Sequence, residues 1–158
     1  MGVGYNTKIV TNGLVMCLDA ANSKSYPGTG TTWYDISGNG YNATLYNSPS
    51  FANGVFTFNG TNSYAAASSI NLAVGNSTIV GASRYSGATR GRMIAGTNNN
   101  WLMGNYSNSV ANYYAEGWVS TPGAGGTDTT WRIYAATGNT VGDSWEFFIN
   151  GVSNASGA

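Results

Sequence analysis

Ser144-Trp145-Glu146-Phe147-Phe148-Ile149-Asn150-Gly151 is the stretch on which the fold turns. Trp145, Phe147 and Ile149 share one face, while Glu146 and Phe148 take the other, the period-two signature of a β-strand. Asn150-Gly151 follows at once and tolerates the positive φ that a tight hairpin requires. The same dipeptide recurs at Asn12-Gly13, Asn39-Gly40, Asn53-Gly54 and Asn59-Gly60.

Outward from that strand, similar signals fill the chain. Leu14-Val15-Met16-Cys17-Leu18 is a continuous apolar run, expected as a strand covered on both faces. Val55 to Phe58 is bracketed by two Asn-Gly turns. Tyr64 to Ser68, Thr78 to Ser83, Arg92 to Ala95, Trp101 to Gly104 and Trp131 to Ala136 are further short candidates. Asn112 to Val119 reads as one longer strand, with Tyr113, Ala115, Gly117 and Val119 opposite Tyr114, Glu116 and Trp118. About nine short strands with no helical periodicity between them predict an all-β, antiparallel sandwich. No linker or composition break divides residues 1–158, so a single domain is expected.

Composition narrows the function. The chain has 158 residues, 6 Lys+Arg, 6 Asp+Glu and no His. Without His there is no Ser-His-Asp relay, His-ligated zinc or imidazole switch. Six cations at zero net charge give no basic field for a phosphate backbone, so no nucleic-acid partner is expected. Apolar runs fall well short of the roughly 18–20 residues that cross a bilayer as a helix, so no membrane insertion is expected. The opening residues Met1 to Lys8 show no basic segment leading into an apolar one, so no signal peptide is expected. Cys17, the sole cysteine, sits in an apolar run with no base to activate it and reads as an inert packed thiol. Charged residues are only 8% of the chain, while Asn, Ser, Thr, Gly and Tyr are abundant. Such a surface suits a subunit fixed in an assembly or a protein that faces sugars.

Glycans are held by aromatic faces flanked by amides and hydroxyls. Trp101, Asn105, Tyr106 and Tyr113 are the carbohydrate-binding candidates, among materials that also include Tyr114, Trp118, Trp131, Asn98, Asn99, Asn100, Asn108 and Asn112. Trp33, Trp131 and Trp145 read as core. Arg84, Arg90 and Arg92 gather half the cations and offer an anion-docking alternative to a solvated loop. Calcium takes about six to eight oxygens, several from carboxylates. Asp19, Asp35, Glu116 and Asp128 are scattered, and Asp35 and Asn39 read as Asx-type turn residues, so no metal and no cofactor is expected.

Gly13 to Asn22, Ser25-Tyr26-Pro27-Gly28 and Trp33-Tyr34-Asp35-Ile36-Ser37-Gly38-Asn39-Gly40 running on to Leu45 together resemble the opening of a concanavalin A-like (LamG-type) jelly-roll domain. The versions that they resemble most are carried by structural proteins of tailed phages, cyanophages among them. Phe56 to Tyr64 and Phe148-Ile149-Asn150-Gly151-Val152 resemble two later stations of that family. Family members continue past this last hairpin with further strands, so the resemblance implies a domain lacking its C-terminal strands. Glucanases of this fold carry Glu-x-Asp-x-x-Glu on one strand. The corresponding stretch here is Val141-Gly142-Asp143-Ser144-Trp145-Glu146, where Val141 replaces the first carboxylate of the pair that the chemistry uses. Asp143 and Glu146, three apart, would face opposite ways on a regular strand, and no catalytic residue is expected.

What the resemblance implies is a non-enzymatic structural protein on the surface of a tailed-phage particle, as capsid decoration or tail-associated, reached after assembly in the host cytoplasm. Its partners would be capsid or tail subunits and copies of itself, with host surface glycans as a second ligand. The alternative is a free carbohydrate-binding lectin module of an extracellular or cell-surface protein.

Overall fold

The computed structural model describes residues 10–67, 70, 76–86, 92–97, 100–106, 109–115, 117–120, 129–139 and 141–157. Among them every helix or strand assigned is a strand, and every pairing is antiparallel. The chain divides into two compact units, Met1–Phe58 with Asn62–Ile70, and Asn59–Thr61 with Asn71–Ala158.

In the first unit β1 (Thr32–Trp33), β2 (Ala43–Tyr46) and β5 (Tyr64–Ala67) form a sheet in the order β1-β2-β5. β3 (Ser50–Ala52) and β4 (Val55–Thr57) make a hairpin. The φ values of 53° and 75° at Asn53 and Gly54 are the left-handed pair of a two-residue turn, as the dipeptide predicts. Phe56 gathers the aromatic cluster of this unit, with ring centroids 4.6 Å from Tyr26, 4.7 Å from Trp33 and 5.1 Å from Phe51.

The apolar run Leu14–Leu18 is not a strand, which corrects the expectation. Side chains of the following segment hold its backbone instead. The Cys17 amide donates to Asp35 Oδ1 at 2.8 Å, and Asn39 Nδ2 donates to the Leu14 and Val15 carbonyls at 2.9 and 3.0 Å, while Ser37 Oγ, whose one proton is shared with Asp35 Oδ2, lies 3.1 Å from the Val15 carbonyl. Val15 is 48% exposed, so the run is not covered on both faces. Asp, Ser and Asn offer a backbone local partners that compete with a ladder, and hydropathy does not register them.

The second unit is built from two four-stranded sheets. One has the order β13-β12-β11-β6, from β6 (Asn76–Ser83), β11 (Arg132–Asn139), β12 (Ser144–Ile149) and β13 (Val152–Gly157). The other has the order β10-β9-β8-β7, from β7 (Ile94–Ala95), β8 (Trp101–Tyr106), β9 (Ser109–Ala115) and β10 (Gly117–Trp118). Met103, Val110, Tyr113 and Ala115 of one sheet meet Tyr134, Ala136 and Phe147 of the other in one buried cluster, the packing of a sandwich. The deciding stretch behaves as read: Phe147 is fully buried, with Trp145 and Ile149 packed against the same cluster.

Asn112–Val119 is not one strand. β9 ends at Ala115, and Gly117 and Trp118 pair back on Ala115 and Tyr114. The Val119 and Ser120 amides both donate to the Tyr113 carbonyl, at 3.1 and 3.3 Å, and the Tyr113 amide donates to Ser120 Oγ at 2.8 Å. These bonds fasten the returning chain onto β9. Trp131, expected in the core, is 46% exposed, with the Arg84 guanidinium 5.5 Å above its ring.

Candidate functional site

Among the described aromatic residues of β8, β9 and β10, the one most exposed to a ligand stands on β10. Trp118 is 40% exposed. Tyr106 of β8 meets it edge-on at 4.9 Å and 60°, and Tyr114 of β9 at 5.2 Å and 85°. Two rings packed edge-to-face restrict the indole while leaving much of it in water. The register explains the grouping, because Trp118 pairs with Tyr114 across the β9–β10 ladder. Asn105, half-buried next to Tyr106 on β8, lies in the irregularity between Gly104 and Tyr106. A restrained, part-exposed indole between two phenol rings can stack on the apolar face of a sugar ring.

The four candidates read from sequence therefore separate. Tyr106 stays with this platform, while Asn105 is placed only as its half-buried strand neighbour on β8. Tyr113 does not: it is 1% exposed, its ring stacked on Phe147 at 5.5 Å, so no face is left for a ligand. Trp101 lies edge-on to Tyr113 at 5.9 Å and packs against the core cluster. Burial raises the Tyr113 phenol above its ordinary pKa, and the hydrogen bond to Trp101 only partly offsets that. Trp118 and Tyr114 replace the two lost members. Their signal was in the alternation of 112–119, which puts both on the face opposite Tyr113. Asn98, Asn99 and Asn108 lie outside the described residues.

A second surface is the outer face of the β13-β12-β11-β6 sheet. Phe147, Ala136 and Ile79 pair across three strands toward the core, so the next row, Thr78, Thr137, Glu146 and Ser156, faces away from it. Thr78, Thr137, Glu146 and Ser156, with Asn76, Asn139 and Ser144 and, from the alternate positions, Ser77, Gly138, Trp145 and Gly157, line a concavity of about 570 Å³. Glu146 Oε1 accepts the Ser153 hydroxyl at 2.7 Å. Asp143 is not on the strand at all; it sits exposed in the preceding turn with φ of 46°. Glu146 is thus the one carboxylate among the described lining residues. Further along the same face stand Val80 and Ile133, 62% and 54% exposed, and then Trp131 with Arg84.

Other sequence candidates resolve into structural roles. Asp35 accepts four hydrogen bonds: Oδ1 from the Cys17 and Ser37 amides, Oδ2 from the Ser37 hydroxyl and the Tyr41 amide. Burial acts to raise its pKa, but these bonds to the charged form outweigh it and hold the carboxyl below its ordinary value. The Ser37 bond is the expected Asx turn. Asn39 differs from the expectation, reaching back to residues 14 and 15 instead. The Cys17 thiol is pushed up, first by burial and then by the charges of Asp19 and Asp35, which leaves it a poor nucleophile. Arg84 and Arg92 have separate partners, the Trp131 ring and Asn100 Oδ1 at 3.4 Å, while Arg90, Glu116 and Asp128 lie outside the described residues.

Comparison with family models, curated proteins and solved structures finds no match.

Proposed function

We propose that this chain is a non-enzymatic, concanavalin A-like jelly-roll subunit on the surface of a tailed-phage particle, as capsid decoration or tail-associated, held there by protein–protein contact. The observation that carries the reading is the outer face of the β13-β12-β11-β6 sheet. Between Arg84 at one end and Glu146 toward the other, its outward positions on β6 and β11 are uncharged, and Val80, Ile133 and Trp131 stand exposed on it. A sheet face of that kind suits a docked subunit better than a free monomer, which ordinarily covers itself with mixed charge.

Glycan adhesion to the host is a second role, favoured by the Trp118 platform alone. The alternative of a free lectin module draws on that same platform. Immunogold labelling of intact tailed-phage particles whose genome encodes this chain tests the main reading. Gold on the particle surface is the expected result. Unlabelled particles, with the chain recovered only as free protein that binds glycans, overturn it in favour of the lectin module.

A further inference from the structure

Sheet edges are where β-proteins recruit one another, and natural sequences blunt them with short strands, charge, proline or bulges. The edges of this sandwich are protected unequally. β7 and β10, the edges of one sheet, are two residues each. β13, an edge of the other, carries a bulge: Phe147 pairs with Ala155 and Phe148 with Ser153, which leaves Asn154 as the extra residue. β6 has no such device. It runs eight residues, Asn76-Ser77-Thr78-Ile79-Val80-Gly81-Ala82-Ser83, pairs with β11 at every position without a shift, and contains no charged residue and no proline. Among the described residues no strand pairs with its other side.

We infer that β6 is a self-pairing edge, through which two copies of this chain join antiparallel about a two-fold axis at Val80 and merge their four-stranded sheets into one of eight strands. The inference rests on reading the chain as an assembling subunit and narrows that reading to one strand. The occupant is a second copy because β6 complements itself. Antiparallel partners share a face, so only registers that match outward with outward positions keep both cores closed. Centring on Val80 meets that condition. It places Val80, 62% exposed, against Val80 of the second copy, Thr78 against Ala82, and Asn76 against Arg84. No like charges meet, and the apolar row Val80, Ala135 and Phe148 continues across the junction. The ladder gains on the order of eight backbone hydrogen bonds.

Light scattering on the purified chain, with thermal unfolding in parallel, tests this. The wild type should show twice 16.4 kDa. Val80→Lys sets like charges directly opposite across the axis and should return the mass to 16.4 kDa with a cooperative unfolding transition retained. Ser156→Lys, on the outer face of the β13 edge, should leave the dimer intact. As a second readout, Val80→Cys in a Cys17→Ser background should cross-link into a covalent dimer on oxidation, and Ser156→Cys in that background should not. A wild type that stays at monomer mass at the highest attainable concentration overturns the inference, as does a dimer dissociated by Ser156→Lys but not by Val80→Lys. A monomeric chain that still labels phage particles removes the self-pairing edge and keeps the docking reading. A β6 dimer that never labels particles does the reverse.

Discussion

The Tyr113 ring of one sheet stacks on the Phe147 ring of the other, centroids 5.5 Å apart and 25° from parallel. Tyr134 lies against Phe147 as well, at 5.8 Å and 8°, so Phe147 is the ring that both sheets share. Its replacement tests the sandwich core. Phe147→Ala removes a fully buried side chain and should cost about 3–5 kcal/mol of unfolding free energy, read from urea denaturation. A loss under about 1 kcal/mol would mean that the two sheets do not pack through this ring.

Gly138 depends on what lies over it. The Trp145 ring rests against its Cα face, and a Cβ there would fall inside contact distance of the indole. Gly138→Ala should therefore destabilise by about 1–3 kcal/mol through overpacking and change the near-ultraviolet circular dichroism of tryptophan. Gly117, with nothing within 4 Å of its ideal Cβ and no positive φ, serves as the control, and Gly117→Ala should leave that spectrum unchanged.

Asp35 makes acid stability specific. Its folded pKa is depressed, so its contribution is present above the unfolded value of about 3.9 and is lost as pH falls through the lower folded value. Asp35→Asn should cost about 1–3 kcal/mol at pH 7, because amide protons then confront the amides and hydroxyl that the carboxylate accepted. The gap between wild type and variant should narrow as pH falls below the unfolded value toward the lower folded one. Fluorescence-monitored urea titrations from pH 2.5 to pH 7 check this, and a gap independent of pH would assign the loss to shape alone.

Trp118 separates binding from folding. Trp118→Ala removes a part-exposed ring outside the sandwich core, so the unfolding midpoint should move by no more than a few degrees. Any glycan binding detected on an array should fall at least tenfold. Binding that survives Trp118→Ala but is lost on Glu146→Gln would relocate the sugar site to the concavity of the β13-β12-β11-β6 sheet.

What the sequence made legible follows what side chains can signal. Ser144–Ile149 is read correctly because one face is wholly core, and alternation is then visible. The turn at Asn53-Gly54 is read correctly because few residues accept two positive φ values in succession. Leu14–Leu18 is misread because its partners, Asp35, Ser37 and Asn39, are polar side chains some 20 positions away, which hydropathy does not weigh. β13 escapes because the bulge at Asn154 breaks its alternation: Val152, Ala155 and Gly157, which pair with Ile149, Phe147 and Trp145, do not fall at every second position. At the candidate site, alternation separates Tyr113 from Tyr114 and Trp118, yet it does not say which face is the core. Burial answers that, turning Tyr113 inward onto Phe147 and leaving Trp118 outward.

Docking on a particle is the central claim, and a co-sedimentation isotherm tests it most directly. Tailed-phage particles lacking the gene for this chain are mixed with increasing amounts of purified protein and pelleted. The account predicts saturable binding at a fixed number of copies per particle, weakened by Ile133→Lys on the exposed sheet face. Protein that remains in the supernatant at every concentration, while folded and able to bind glycans, would contradict it.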